Sequence, residues 1–155
     1  MSFLSDQQMA EASGEPGVGP HPRPWPDDDR LDPELLEHGD RRNVIDRYRY
    51  WKLSAIVADL DTRRHPLRIA IQNWEHDFNI GSMVRTANAF NVSGVHIIGR
   101  RRWNRRGAMV TDRYLRVFHH PSVTDFGDQL AADNYVVIGV DNLPGALPLE
   151  PYELP

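Results

Sequence analysis

One stretch of the sequence constrains the fold more than any other, because an apolar run is followed by a polar turn and then by a helical pattern. The run covers residues 67–72, LRIAIQ, and the helical pattern begins at Asn79 in the order Asn-x-Gly. Such a run predicts a strand, and we expect it to be buried on both faces, as in parallel sheets. Ligand-binding groups in α/β folds collect beyond the carboxyl ends of such strands. Asn79 and Arg85 are therefore candidate site residues.

The predicted helix after this turn has a clear buried stripe, formed by Ile80, Met83, Val84 and Ala87. Asn79 is also a favoured N-cap residue, and this role does not exclude a functional one. Gly81 lowers helix stability relative to alanine, so its use here indicates close approach by another backbone or by a ligand. Arg85 taken alone is equally well explained as a solvated helix arginine.

Further patterns complete an α/β arrangement around this unit. Apolar runs predict a second strand over residues 95–99 and a third over residues 136–140. Helical patterns cover residues 43–60, 108–114 and 122–133. The helix between the first two strands is long enough for a right-handed parallel crossover. The sequence therefore predicts an α/β domain built on a parallel sheet.

Composition divides the chain into three parts. Residues 1–40 contain ten acidic and two basic side chains, and six of the twelve prolines precede Glu34, so we expect a disordered tail. Residues 41–66 are predicted to form an N-terminal helix and linker, and residues 67–155 the main domain. Residues 41–155 carry a net charge of +4, which permits a polyanionic partner.

Several classes of protein are excluded or disfavoured. The chain has no cysteine, which excludes disulfides, thiolate zinc sites and cysteine nucleophiles. His119 and His120 are adjacent and should point in different directions, so we expect no metal site. The sequence lacks an apolar run of membrane-spanning length and a secretory leader pattern, which predicts a cytoplasmic location.

A second candidate site is a loop rich in arginine. Between residues 95 and 120 there are seven arginines and one acidic residue, Asp112. The candidates for binding a nucleic acid are Arg100, Arg101, Arg102, Arg105 and Arg106. A guanidinium group can donate two hydrogen bonds to one phosphate, and Trp103 among the arginines can stack on a base. The alternative is a solvated loop without a ligand.

The pattern N-x-G-x-x-x-R-T-A-x-A-F, from Asn79 to Phe90, resembles the first motif of the SpoU/TrmH family, the RNA ribose 2′-O-methyltransferases of the SPOUT superfamily. The block VHIIGRRRWNRRGAMVTDRY is similar to actinobacterial members, and the similarity covers residues 44–155. The resemblance implies an α/β knot fold, S-adenosylmethionine as cofactor and a homodimer. It also implies methyl transfer to a ribose 2′-hydroxyl of tRNA or rRNA.

The resemblance places Asn79 and Arg85 in the catalytic centre. The part of the cofactor site that it assigns to this sequence lies at Val140, Asp141 and Asn142, where the predicted third strand ends. The family's second and third motifs, which form the knot, do not occur in the sequence. We therefore expect a fragment of an ordinary methyltransferase, with an inactive RNA-binding protein that uses the arginine loop as the alternative. A nucleotide-binding regulator is disfavoured, because no glycine-rich phosphate-binding motif is present.

Overall fold

The computed structural model of the chain describes residues 17–74, 79–133, 135–151 and 153. Its helices and strands, in chain order, are α1 (Pro33–His38), α2 (Leu53–Asp61), β1 (His65–Asn73), α3 (Ile80–Ala89), β2 (Val92–Gly99), β3 (Val117–His120) and α4 (Val123–Asp133). Three short 3₁₀ helices span Asp46–Tyr48, Arg105–Ala108 and Thr111–Tyr114. No helix in these described ranges is long and apolar enough to span a membrane.

The strands form one parallel sheet in the order β1-β2-β3. Asn73 at the end of β1 is paired with Gly99 at the end of β2, so the carboxyl ends of these strands meet at one edge. Helix α3 connects β1 to β2, as a parallel pair requires. The predicted α/β class with a parallel sheet is confirmed.

Both faces of the central strand β2 are covered. Helix α3 packs on one face, where the buried residues are Ile71, Ile80, Val84, Ala87, Val92, Val95, Ile97, Ala108 and Leu115. Helix α4 covers the other face, where Phe126 lies against the rings of His96 and His120. Of the stripe predicted on α3, Met83 is 43% exposed and the rest is buried. Each fully buried aliphatic side chain stabilises the fold by about 1.5–3 kcal/mol.

The prediction that the first strand is buried on both faces is wrong. Within β1 only Ile71 and Asn73 are buried, and Leu67 is 55% exposed. The reason is its position, because β1 has β2 as its only strand neighbour in the described part of the chain. Pro66 fits this position, since an edge strand tolerates a residue without a backbone N–H.

The prediction of the third strand is also wrong. Residues 135–143 form no strand, and Val136 and Val140 are 68% and 79% exposed. The third strand is β3, whose sequence Val-Phe-His-His is short and half polar. An apolar run becomes a strand only where an edge is available for pairing, and sequence alone does not specify that edge.

The single helix predicted over residues 43–60 is broken in the structure. Residues 46–48 form a 3₁₀ helix, Tyr50 adopts a left-handed φ of 63°, and α2 begins only at Leu53. The hydroxyl of Tyr50 donates to the carbonyl of Gly19 at 2.6 Å, and its backbone N–H donates to the carboxylate of Asp40 at 2.9 Å. Contacts with the preceding segment therefore decide the backbone conformation here.

The disorder predicted for residues 1–40 does not hold for residues 17–40, while residues 1–16 lie outside the described ranges. Val18 pairs with Asp40 in an isolated bridge, and α1 begins at the N-cap Asp32. The carboxylate of Asp40 is fully buried and accepts two hydrogen bonds from the guanidinium of Arg42. Burial alone would raise the pKa of Asp40, but hydrogen bonds from Arg42 and Tyr50 outweigh it and lower that pKa. Paired polar groups therefore order this segment, although its composition predicts disorder. The domain boundaries stay predictions.

Candidate functional site

A buried asparagine fixes the start of the arginine loop, the name used here for residues 100–106. Asn73 is 1% exposed, and its amide donates to the carbonyls of Arg100 at 2.7 Å and Arg102 at 3.0 Å. The backbone carbonyl of Asn73 accepts a hydrogen bond from the backbone N–H of Arg100 at 2.9 Å. Sequence reasoning missed this residue. Its only signal was a polar residue directly after an apolar strand.

The 3₁₀ helix Arg105–Ala108, which begins within the arginine loop, packs on the first turn of α3. Asn104 begins the 3₁₀ helix that follows, since its side chain accepts from the N–H of Arg106 at 3.1 Å. A Cβ atom on Gly81 would lie 2.7 Å from the Cα of Gly107, closer than real Cβ contacts come. The close backbone approach predicted at Gly81 is confirmed. The element that approaches is this 3₁₀ helix, through Gly107 and Ala108.

The short helix predicted over residues 108–114 is instead two 3₁₀ helices joined by a strained turn. Met109 and Val110 have left-handed φ angles of 48° and 69°, and Val110 is β-branched, which makes this conformation rare. The turn also reaches α3, because Nη1 of Arg85 donates to Sδ of Met109 at 3.3 Å. The segment that carries the arginines therefore extends along α3 from Gly81 to Arg85.

The two predicted catalytic residues lie at the start and in the middle of α3. Asn79 occupies the N-cap position but makes no side-chain capping hydrogen bond. Arg85 is exposed, and among the described residues no carboxylate forms an ion pair with it. The turn at residues 75–78 lies outside the described ranges. Both side chains therefore retain hydrogen-bonding groups for a ligand.

The charge of the arginine loop is largely uncompensated by the described residues. All five of its arginines are exposed, and the closest carboxylate pair joins Arg105 to Asp112 at 3.7 Å. Arg116, further along, is different because it pairs with Asp61 at 2.5 Å. Unpaired guanidinium groups at a strand end are suited to bind phosphate oxygens.

The predicted cofactor-binding residues lie at the surface of the described chain. Val140, Asp141 and Asn142 are all exposed. Within this group the N–H of Asn142 donates to the carboxylate of Asp141 at 2.7 Å, which is a local contact. Three exposed residues do not by themselves enclose a cofactor.

The two adjacent histidines point to opposite faces of the sheet, as predicted. The Nε2 atom of His119 lies 2.9 Å from the carbonyl oxygen of Gly99 and donates to it. The Nε2 atom of His120 lies 2.8 Å from Nδ1 of His96 on the α4 side. The two rings therefore cannot share one ligand.

Fold and site together define an α/β protein whose sheet carries, at its carboxyl edge, a cationic loop suited to a polyanion. The model of the SpoU rRNA Methylase family matches residues 66–155, more than half of the chain. The chain belongs to this family, whose activity is the methylation of RNA. No curated protein and no solved structure matched the chain.

Proposed function

We propose that this protein transfers a methyl group from S-adenosylmethionine to a ribose 2′-hydroxyl of tRNA or rRNA. The observation that carries this proposal is Arg85, which lies within the residues that the family model matches and is exposed next to Met109 without a described carboxylate partner. Family membership supports RNA methylation as the reaction. The methyl donor, the ribose position, a homodimeric assembly and a cytoplasmic location are parts of the proposal.

The proposed role of Arg85 follows from the chemistry of its side chain. A guanidinium is not deprotonated in proteins, so it donates hydrogen bonds and does not act as a general base. Arg85 would hold a phosphate next to the target ribose and stabilise negative charge as the hydroxyl attacks. Asn79, whose amide makes no capping bond, would hydrogen-bond the ribose or the phosphate.

The cofactor, when bound, would supply the electrophilic methyl group for the reaction. Val140, Asp141 and Asn142 remain its proposed contacts, and all three are exposed in the structure. No step is therefore assigned to them. The arginine loop, with Arg100, Arg101, Arg102, Arg105 and Arg106, is the proposed contact for the RNA backbone.

The function is tested by methyl transfer from S-adenosylmethionine with a radioactive methyl group to total tRNA and rRNA. The RNA is digested to nucleosides, which are separated by chromatography. Label in 2′-O-methylated nucleosides is expected. Label in base-methylated nucleosides would contradict the ribose assignment, and RNA binding without any transfer would favour the inactive RNA-binding alternative.

The assignment of Arg85 is tested in the same assay with Arg85→Ala and Arg85→Lys. We expect the alanine variant to lose transfer while its affinity for S-adenosylmethionine, measured by calorimetry, is unchanged. Lysine should restore little activity, because it lacks the paired donors of a guanidinium. Arg23→Ala, which removes an exposed arginine of the N-terminal segment, is the matched control. An equal loss of transfer and cofactor affinity in Arg85→Ala would refute the assignment.

A further inference from the structure

A cleft of about 400 Å³ lies beside the arginine loop at the carboxyl edge of the sheet. Its lining residues come from β2, β3 and the loop, and they are Ile97, Arg101, Trp103, Arg105, Val117, Phe118 and His119. Ile97 and His119 are paired in the sheet, so they form a continuous floor. This volume lies within the range of about 300–1,000 Å³ that is typical of small-ligand sites.

The cleft combines one aromatic surface with two cations. Trp103 is half-buried and packs against the core next to Ile97 and Val117, so its ring is held in place. The guanidinium carbon of Arg105 lies 5.7 Å from the centre of this ring. That distance lies at the outer limit of a cation–π contact, about 6 Å, so Arg105 lies over the ring at the long end of this range. Arg101 is exposed on the same cleft.

A histidine adds a polar group of fixed orientation. A carbonyl oxygen only accepts hydrogen bonds, so Nε2 of His119 carries the proton in its contact with Gly99 at 2.9 Å. The hydrogen bonds from Asn73 hold the carbonyls of Arg100 and Arg102, which flank the lining residue Arg101 in the sequence.

We propose that this cleft binds one unstacked nucleotide of single-stranded RNA, with its base against Trp103 and its phosphate on Arg101 and Arg105. A planar base fits the indole ring, and a phosphate fits two exposed guanidinium groups, of which Arg105 has only the 3.7 Å contact with Asp112 to give up. A paired base is covered by its neighbours in a duplex and is unable to enter. The inference rests on the proposed RNA function and assigns to this edge a second contact, separate from Asn79 and Arg85.

The test is fluorescence anisotropy with a labelled 12-nucleotide single-stranded RNA and with a duplex of the same sequence, in the absence of S-adenosylmethionine. Trp103→Leu retains an apolar side chain against the core and removes the aromatic face. We expect it to weaken binding of the single strand about tenfold and to leave duplex binding unchanged. Trp103→Phe should restore most of the affinity. Circular dichroism and thermal unfolding establish that each variant is folded.

Two controls distinguish stacking on Trp103 from the general loss of a tryptophan and from a site for free nucleotides. Trp25→Leu removes a tryptophan of the N-terminal segment that also has an arginine over its ring, Arg23 at 4.4 Å, and should leave both affinities unchanged. Adenosine and uridine 5′-monophosphate are added as competitors, because the same chemistry would suit a free nucleotide. Displacement of the RNA by micromolar monophosphate would overturn the assignment to RNA.

The remaining outcomes distinguish failure of the cleft from failure of the proposed function. Equal weakening of single-strand and duplex binding in Trp103→Leu, or no change in either, would refute the cleft while RNA binding itself remained. No binding of either RNA by the unaltered protein would refute the RNA function together with the cleft. Loss of methyl transfer with intact RNA binding, as expected for Arg85→Ala, would leave the assignment of the cleft to RNA supported.

Discussion

At the scale of single residues, one asparagine and one glycine determine where the arginine loop lies. Asn73 holds the carbonyls of Arg100 and Arg102, and the absence of a side chain at Gly81 lets the backbone of Gly107 contact α3. Of these two, the sequence indicated only Gly81, because glycine in a first helical turn is unfavourable unless a backbone approaches closely. The hydrogen bonds of Asn73 reach residues 27 and 29 positions away, and no local pattern encodes such a contact.

The contact at Gly81 gives a prediction about stability. Alanine is the better helix former by about 1 kcal/mol, so propensity alone would make Gly81→Ala stabilising. Its Cβ would instead meet backbone atoms of Gly107 and Ala108 at 2.7–2.8 Å, and backbone does not move aside cheaply. We expect the free energy of unfolding, measured by urea denaturation, to fall by about 1–3 kcal/mol.

Gly127 in α4 provides the matched control for this substitution. It is also a helical glycine, and a Cβ atom built there meets nothing within 4 Å. Gly127→Ala should therefore raise the free energy of unfolding by about 0.5–1 kcal/mol. If both variants changed stability in the same direction, contact with the backbone of Gly107 and Ala108 would not be the cause.

At the scale of elements, β2, β3 and α4 enclose a pair of buried histidines. His96 is fully buried, its Nδ1 lies 2.8 Å from Nε2 of His120, and both rings contact Phe126. The Nε2 atom of His96 has no hydrogen-bond partner among the described residues. Burial and the neighbouring His120 and Arg68 lower the pKa of His96 to about 4, against an opposing effect of Asp133. Burial also lowers the pKa of His120.

This pair predicts loss of stability in mild acid. Between pH 6.5 and 4, His96 is protonated in the unfolded chain and neutral in the folded chain, so unfolding takes up a proton. The free energy of unfolding therefore decreases as the pH is lowered through this window. The change over this window is about 3 kcal/mol for His96. Carboxylates with a lowered pKa, such as Asp40 and Asp61, add to the loss of stability only below about pH 5. Urea denaturation at pH 7, 6 and 5 measures the slope.

The variant that tests this origin is His96→Phe, which retains an aromatic ring and does not titrate. We expect its free energy of unfolding to depend less steeply on pH than that of the unaltered protein, whatever its absolute stability. His38→Asn removes an exposed histidine of α1 and controls for the loss of one histidine. An unchanged slope in His96→Phe would mean that other groups cause the acid sensitivity.

The same elements show which parts of the fold the sequence encodes locally. The unit β1-α3-β2 was predictable, because its apolar spacing has the strand and helix periods and its helix begins at Asn-x-Gly. Strand β3 was missed, because its stability comes from ring contacts of His96 with Phe118 and His120 and not from an apolar pattern. Residues 136–140 have the pattern of a strand but no neighbour to pair with in the described structure.

At the scale of the whole molecule, charges are paired in one region and unpaired in another. In the N-terminal region, Asp59 binds both Arg47 and Arg63. Arg64, only 6% exposed in its side chain, pairs with Asp61 and donates to the carbonyl of Tyr114 at 2.8 Å. The net charge of −4 therefore conceals a positive edge, formed by the arginine loop.

This distribution predicts a specific loss of RNA binding. In Arg101→Gln/Arg102→Gln two unpaired cations are removed, so the slope of log affinity against log salt for single-stranded RNA should decrease by about 1.4. The comparison is Arg47→Gln/Arg63→Gln, which lowers the net charge equally but removes arginines that are paired with Asp59. Its slope should be unchanged, since paired arginines release no RNA counterions. Equal slopes in both double variants would show that net charge, and not the loop, attracts RNA, and the alternative of a solvated loop would stand.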